Sequence, residues 1–423
     1  MRIYFSGVGG VGIGPLAEIA ADAGYDVIGS DREASPMTEK LQSKGIKVLI
    51  GQSGSEMSTE HNKEPIDWFV HTAALPADHP ELEFAHQNNI HISKRDEFIA
   101  KLLKDKGLNL VAVAGTHGKT TTTAMLIWIL KQLKIPISYS VGTIIGFGES
   151  GQFDANSKYF IYECDEYDRN FLHFNPHLSL LTAIDYDHPD TYPNENDYRD
   201  AFIDFIEQSD YSIMWDKDFR YLGEPNINAD YEIYDSLMNL DKIKLAGIHT
   251  RHNAFLAMQA VKKIAPGIDQ NEILHIINGF PGNGRRFEKL ADNLFSDYGH
   301  HPVEIAATLQ MARELNDNVV LVYQPHQNLR QHEIKDQYTD CMQLADQIYW
   351  LPTYLTREKP DQAVLTPQQL SQNLVNRYSV HFSELDDNLW QNIDKARSQN
   401  KLVLIMGAGS IDSWVRNRLK QLS

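Results

Sequence analysis

The run Gly115-Thr-His-Gly-Lys-Thr120, entered from the apolar Val111-Ala-Val-Ala and followed by Thr121, carries the sharpest chemical signal in the chain. Glycines at 115 and 118 let backbone N–H groups face an anion with no Cβ in the way, and a helix starting there adds its positive end. Lys119 can reach the terminal phosphates of a nucleotide, with Thr116, His117 and Thr121 lining the same turn. The Thr120 hydroxyl can serve Mg2+. The spacing G-x-x-G-K-T is shorter than the usual phosphate loop, and the plain alternative is an ordinary strand-to-helix turn.

A second glycine turn, Gly7-Val-Gly9-Gly10-Val-Gly12, satisfies G-x-G-x-x-G, and Asp31 follows at the end of the next predicted strand. That spacing suits a nicotinamide dinucleotide, and it suits the diphosphate of a UDP-sugar equally, because the glycines read a pyrophosphate and not a base. Two phosphate-bearing ligands in consecutive segments favour an ATP-consuming transferase or ligase over a simple dehydrogenase. Two acidic runs, Glu163-Cys-Asp-Glu-Tyr-Asp168 and Asp185-Tyr-Asp-His-Pro-Asp190, each end a predicted strand. Ligands of parallel sheets bind at the carboxyl ends of strands, so both runs are expected to face the phosphate loop. Their oxygens, with Thr120, suit Mg2+; His188 is a less usual partner for that ion.

The elements that must position these residues alternate between strand and helix. Strands are expected at 2–6, 25–30, 47–50 and 67–71, with helices at 15–23 and 37–44. A second segment carries strands at 108–114, 159–163 and 178–184, with helices at 119–133, 198–208 and 252–264. The third carries strands at 318–323, 347–351 and 402–406, with helices at 302–315 and 334–344. Surface loops are expected at 62–65 and 357–360. Alternation of this kind predicts an α/β protein with doubly wound, mostly parallel sheets. Three domains follow: a Rossmann-like one at 1–106, a central P-loop ATPase-like one at 107–282 and a Rossmann-like one at 283–423.

A chain of 423 residues can bury such cores without staples. Its 57 acidic against 39 basic residues give a net charge of −18, which argues against general nucleic-acid binding. The first residues read as a strand and not a signal peptide, and no apolar run is long enough to span a membrane. Two cysteines cannot make a disulfide framework, so reduced thiols and a cytoplasmic location are expected.

Taken in order, these motifs resemble the Mur ligases of peptidoglycan synthesis. Gly7–Gly12 is similar to that family's UDP-sugar loop and Gly115–Thr120 to its ATP loop. Glu163–Asp168 is similar to its E-A-D-E-S-D element, with Cys164 and Tyr167 departing from it, and Ile184–Asp190 to its I-D-x-D/E-H-x-D element. Gly247-Ile-His-Thr-Arg-His-Asn-Ala254 resembles G-x-H-N-x-x-N-A, with Thr250 in place of the usual Asn. Gly284-Arg-Arg-Phe287, Asp297-Tyr-Gly-His-His-Pro302 and Gln324-Pro-His-Gln-Asn-Leu-Arg330 complete the series. Within the family, the H-x-x-x-R spacing of His326 and Arg330 resembles the members that add L-alanine to UDP-N-acetylmuramate. Tyr167 leans toward the members that attach a whole tripeptide in recycling.

The resemblance implies ATP and Mg2+ as cofactors and UDP-N-acetylmuramate and L-alanine as substrates. It implies that Thr120, Glu163 and His188 bind the metal, and that His249, Asn253, Arg286 and Asp297 lie near the nucleotide. Gly7, Gly9, Gly10, Gly12 and Asp31 would hold the UDP-sugar, and Tyr298, His300, His326 and Arg330 would surround the amino acid. Lys119, His188, Arg286, His300 and His326 would form the catalytic set. The amine needs a proton acceptor, and His300 and His326 are both suited to it. In this scheme ATP lies between the second and third domains. The less specific readings are an exposed Arg285–Arg286 pair, a packing role for Tyr298 and a helix opening at His300-His301-Pro302.

Overall fold

The structure of the protein is a computed structural model. It describes residues 1–72, 75–188, 190–356, 358–359 and 361–422. Pro189 of the second acidic run, and Arg357 and Pro360 of the expected loop at 357–360, lie outside the described residues.

The chain divides into two compact units, residues 1–242 with 253–280, and residues 243–252 with 281–423. The first unit holds two sheets. One comprises β1 (Arg2–Ser6), β2 (Asp26–Asp31), β3 (Lys47–Ile50), β4 (Trp68–His71) and β5 (His91–Lys94), all parallel in the order β3-β2-β1-β4-β5. The chain leaves β1 where the strand order reverses, so Gly7–Gly12 lies at the switch point where such sheets bind ligands.

The second sheet comprises β6 (Asn109–Ala114), β7 (Ser138–Ser140), β8 (Gly151–Gln152), β9 (Tyr159–Glu163), β10 (Leu178–Leu181), β11 (Tyr211–Trp215) and β12 (Asp230–Tyr234). Its order is β12-β11-β10-β6-β9-β7-β8, and only the β7–β8 pair is antiparallel. β6 sits at the switch between β10 and β9, and its residues Leu110–Ala114 are all buried, as a strand covered on both faces must be.

One apolar cluster joins the two sheets. Phe98, Ile99 and Leu102, on the helix Arg95–Lys106, belong to the same cluster as Phe5 of the first sheet and Tyr162 of the second. That helix is not among the sequence-derived elements, because its apolar residues are interrupted by lysines and acids. It starts where the Glu97 carboxylate accepts the Lys94 N–H at 3.2 Å, and it ends at Gly107 in the left-handed region (φ 63°).

The second unit carries β13 (Glu288–Ala291), β14 (Leu294–Asp297), β15 (Val319–Tyr323), β16 (Gln347–Trp350), β17 (Val380–Phe382) and β18 (Leu402–Met406). The order is β13-β14-β18-β15-β16-β17, parallel except for β13. The helix Pro302–Leu315 opens at the His-His-Pro run, with Pro302 in its first turn.

Several expected boundaries move, among them the starts of the helices expected from 198 and 252, which lie at Glu195 and Ile248. The strand expected to reach 184 stops at Leu181, because the Thr182 side chain turns to donate to the His117 carbonyl at 2.5 Å. The loop expected at 62–65 begins inside the helix Ser55–Lys63. The helix expected at 334–344 is instead Asn328–Ile334 followed by a 3-10 turn, Lys335–Gln337. The apolar period that suggested it is real, since Ile334, Tyr338, Cys341, Met342 and Ala345 all join one core, but they reach it from successive turns.

Candidate functional site

The phosphate loop takes the shape its glycines permit. Gly115 (φ 129°) and Gly118 (φ 86°) both have backbone that other residues rarely adopt. A Cβ on Gly115 would meet Thr182 Oγ1 at 2.5 Å, and one on Gly118 would meet Asn253 Oδ1 at 2.8 Å. Thr116 is tied to the neighbouring strand end: its N–H donates to the Ala183 carbonyl (2.7 Å), and its hydroxyl donates to the Asp185 carbonyl (2.8 Å). The helix Lys119–Gln132 starts directly from this turn. The sequence-derived group Gly115–Thr121 is therefore one structure, and Asn253 touches it.

Both acidic runs converge on this loop. Lys119 Nζ donates to Glu166 Oε2 at 2.7 Å and to the Gly115 carbonyl at 2.6 Å. Glu166 is fully buried. Burial alone would raise its pKa, but Lys119 and His188 outweigh that and hold it at about 2. Burial likewise pulls Lys119 down, while Glu166, Asp165 and Glu163 pull harder and keep it above its ordinary value. The result is a charged pair, its carboxylate buried and its ammonium part-buried, that stays charged at neutral pH. His188, at a positive φ of 60°, puts Nε2 at 3.5 Å from Glu166 Oε1. Burial lowers its pKa, and the surrounding carboxylates more than restore it. Glu166, which the motif reading passed over in favour of Glu163, is thus the group that joins Lys119 to His188.

Thr120 Oγ1 donates to Glu163 Oε1, whose other oxygen accepts the Gly142 N–H at 3.1 Å. Glu166 Oε1 is buried and has no hydrogen bond. Oxygen donors with spare lone pairs at a phosphate loop fit Mg2+, which prefers few protein ligands together with phosphate oxygens and water. Among the described residues no three His, Cys, Asp or Glu side chains converge into a closed metal cage. Of the expected metal set, Thr120 and Glu163 touch each other, while His188 contacts Glu166 and Asp187.

At the N-terminal loop, the Gly7 and Val8 N–H groups donate to the Ser30 carbonyl at 2.8 and 3.0 Å. Asp31 Oδ2 accepts the Gly9 N–H at 2.6 Å, so this carboxylate shapes the loop itself. A Cβ at Gly9 would meet that oxygen at 2.8 Å. Gly10 closes the turn through its N–H to the Gly7 carbonyl (3.3 Å), and Gly12 faces the Arg95 guanidinium. Arg95 in turn reaches Asp96 (3.3 Å) and Asp165 (3.5 Å), so one cation stands between the glycine turn and the acidic run of the phosphate loop. No motif reading singled it out; its place in a stretch of mixed charge hid it.

In the second unit, Arg285, Arg286, Asp297, Tyr298, His300, His326 and Arg330 lie together at the carboxyl ends of β14 and β15. The Arg285 and Arg286 guanidiniums lie over the Tyr298 ring at 4.7 and 5.4 Å from its centroid. Arg285 also donates to the Gly407 carbonyl at 2.9 Å, and Arg286 lies 3.7 Å from Glu304. They are not a loose surface pair. Asp297 is buried; its two oxygens accept the Phe287 (2.8 Å) and Gly299 (2.7 Å) N–H groups, and burial raises its pKa to about 6. It clamps the turn that carries Arg286 to the turn that carries Tyr298 and His300.

His300 Nδ1 lies 3.2 Å from the Tyr298 carbonyl, and its Nε2 contacts Arg330 Nη1. The first contact requires Nδ1–H as donor, which leaves the Nε2 lone pair toward the guanidinium. Burial pushes the ring down to about 4, against the pull of Glu304. His326 lies beside it, ring centroids 5.6 Å apart. Glu304 accepts the His300 and His301 N–H groups at 3.0 and 3.2 Å, a contribution that motif reading did not find. His249, in the 243–252 piece of this unit, is pushed down to about 4 by burial and by His252. Its neighbour Arg251 forms a two-point pair with Glu314 at 2.8 and 2.9 Å.

Comparison with known proteins finds three family profiles in order along the chain. The profile described as Mur ligase family, catalytic domain, matches residues 2–106; the Mur ligase middle domain matches 113–235; and the Mur ligase, glutamate ligase domain, matches 285–409. A UDP-N-acetylmuramate–L-alanine ligase of Clostridium botulinum is 31% identical over 447 aligned positions, covering 97% of this chain and 95% of the relative. The crystal structure of the UDP-N-acetylmuramate-alanine ligase MurC from Thermotoga maritima superposes with a TM-score of 0.77 at 25% identity, covering 100% of this chain and 99% of that one. A murein peptide ligase from Psychrobacter arcticus shares the fold, with a TM-score of 0.66 at 22% identity over 100% and 98% of the two chains. With all three domain profiles matched in order over the turns that hold Gly9, Lys119 and Arg286, the chain belongs to the Mur ligase family.

Proposed function

We propose that this protein is an ATP-dependent ligase of peptidoglycan precursor synthesis that joins the amine of L-alanine to the muramate carboxylate of UDP-N-acetylmuramate. The carboxylate oxygen attacks the γ-phosphorus of ATP and ADP leaves. The amine then attacks the acyl carbon of the resulting acyl phosphate, inorganic phosphate leaves, and the amine's extra proton passes to a base. Both steps bring anions together, so charge neutralisation and positioning carry the catalysis.

The observation that carries the reading is the buried Lys119–Glu166 pair in the phosphate loop. It holds a permanently charged ammonium where terminal phosphates bind. Thr120, Glu163 and His188 are assigned to Mg2+, which when bound would neutralise phosphate charge. Gly7–Gly12 is assigned to the UDP-sugar diphosphate, with Asp31 holding that turn. Asp31 spends an oxygen on Gly9, which weakens the nicotinamide alternative, where this carboxylate would read a ribose.

For the amino acid, the Arg330 guanidinium is assigned to the α-carboxylate, a fork suited to two-point binding. His300 is a poor proton acceptor, with its Nε2 facing Arg330 and its pKa near 4. The role falls to His326. We place the enzyme in the cytoplasm, in keeping with two buried, unpaired thiols, Cys164 and Cys341; none of the described helices is long and apolar enough to cross a membrane.

The test is ADP release and product mass with UDP-N-acetylmuramate, ATP, Mg2+ and each amino acid in turn. The expected result is ADP formation that requires both sugar and L-alanine. ADP formation only when the stem tripeptide replaces L-alanine would move the protein to the recycling activity. No ADP with any acceptor would overturn the ligase assignment.

A further inference from the structure

The cluster expected to surround the amino acid does not end at His326. The Tyr354 ring lies nearly parallel to the His326 imidazole, at an interplanar angle of 10° and a centroid separation of 5.7 Å. That is an offset stack. His326 also faces His300 at 5.6 Å, and His300 faces Tyr298 at 5.6 Å, so Tyr354 is the outer member of one aromatic row.

The stack is built, not incidental. Residues 326 and 354 form a parallel bridge: the Tyr354 N–H donates to the Pro325 carbonyl, and the Gln327 N–H donates to the Tyr354 carbonyl, both at 2.8 Å. Gln327 takes a positive φ of 64° to make this junction. A Cβ on Gly409 would meet both Cβ and Cγ of Tyr354 at 2.6 Å, so a glycine there leaves the ring its place. Four residues on, Glu358 accepts the Asn328 and Leu329 N–H groups at 3.0 and 3.3 Å, fixing the start of the short helix that carries Arg330. The segment after β16 thus holds both halves of the His326/Arg330 pair, one through a ring and the other through a backbone clamp. Tyr354 is 38% exposed, so the core does not require its ring.

We propose that Tyr354 is a positioning residue for amino-acid capture, fixing the plane of the His326 imidazole toward the incoming amine. This rests on the ligase reading above. An imidazole free to rotate about its side-chain torsions presents its acceptor nitrogen only part of the time. Stacking against a ring anchored at its own backbone removes that freedom before the substrate arrives. The hydroxyl of Tyr354 has no part in this; the ring face does.

The experiment compares Tyr354→Ala and Tyr354→Phe in steady-state kinetics, with the His326 ring protons followed by NMR. Tyr354→Ala is expected to raise the KM for L-alanine about tenfold, leave the KM for ATP and for the UDP-sugar within about twofold, and remove the ring-current shift on His326. Tyr354→Phe is expected to restore both the L-alanine KM and the ring-current shift. Gly409→Ala, which crowds the ring without altering it, is expected to reproduce the L-alanine KM rise. An unchanged L-alanine KM in Tyr354→Ala, with the ring-current shift lost, would overturn the positioning role. So would an equal rise in all three KM values. A wild-type protein that shows the shift but accepts no amino acid fails the ligase reading instead, and the two failures are told apart by the wild-type activity.

Discussion

Lys119 and Glu166 meet at 2.7 Å in the buried floor of the phosphate loop, and the second Glu166 oxygen lies 3.5 Å from His188. One carboxylate therefore keeps the Lys119 ammonium charged and stands beside the histidine of the other acidic run. Lys119→Ala is expected to lower turnover by at least about 10²–10³-fold, the usual loss when a charge stabiliser of the transition state is removed. Binding of the UDP-sugar by calorimetry should change little. Equal loss of both would show that the two glycine turns do not serve separate ligands.

Glu166→Gln tests the pair from its other side. It leaves a part-buried ammonium facing a neutral amide and should destabilise the fold by about 1.5–3 kcal/mol in urea unfolding. The pH dependence has a definite sign. The folded pKa of Glu166 is lowered from 4.5 to about 2, so its contribution is present above about pH 4.5 and is lost as the pH falls toward 2. The variant should lose less stability than the wild type across that window. A parallel pair of curves would mean that Glu166 titrates normally.

Asp218 predicts the opposite sign. Its Oδ1 accepts the Ile184 N–H at 3.1 Å, at the root of the second acidic run, while its buried Oδ2 has no hydrogen bond. Burial raises its pKa from 3.8 to about 7. The folded state then holds this proton more tightly than the unfolded chain, so stability falls as the pH rises from about 4 through 7. Asp218→Asn keeps an acceptor for Ile184 and cannot ionise. It should be more stable than the wild type above pH 7, by about 1–3 kcal/mol, and indistinguishable or weaker near pH 4. Greater stability of the variant at pH 4 than at pH 8, relative to wild type, would contradict this.

These carboxylates mark where the sequence stops being readable. The turns at Gly7–Gly12 and Gly115–Thr120 could be found because a strand, a glycine turn and a helix follow one another within a dozen residues, and the backbone geometry of each is local. The strands around them could be found because parallel strands covered on both faces are continuous apolar runs. The motifs single out Asp31 and Asp297, but both engage their own loops through backbone N–H groups, which spacing does not reveal. The contacts of Glu81 are more distant still. Its buried carboxylate takes the Ser6 and Ser30 hydroxyls at 2.6 and 2.9 Å from residues 75 and 51 positions away. Arg95, Glu166 and Tyr354 share that character. Each acts across sheets or loops that only the folded chain brings together, and none stands out from neighbours of the same type.

His300 and His326 should separate in a pH profile. His300 is held near pKa 4 by burial, with Glu304 pulling the other way, and stays neutral through the range where imidazoles ordinarily titrate, about pH 5–8. Any acid limb of kcat/KM for L-alanine in that range belongs to another group. His300→Gln should lower kcat/KM while keeping the limb, and His326→Gln should lower it and abolish the limb. A limb that disappears in His300→Gln and survives in His326→Gln would reverse the assignment of the proton acceptor.

Arg330 gives the cleanest division between binding and phosphoryl transfer. Its guanidinium contacts His300 Nε2 and stands on the helix whose first N–H groups are clamped by Glu358, so it is fixed before any substrate arrives. A charged hydrogen-bond donor to a carboxylate contributes about 1.5–3 kcal/mol, which corresponds to roughly 10–100-fold in the KM for the amino acid. Arg330→Ala should show that rise with the KM for ATP unchanged, and Arg330→Lys should recover only part of it, because an ammonium cannot make the two-point contact. Lys119→Ala should show the complementary pattern, with loss in kcat and none in sugar binding. If Arg330→Ala instead lowers kcat and leaves the amino-acid KM in place, the guanidinium serves the phosphoryl step, and the carboxylate of the amino acid must be held elsewhere.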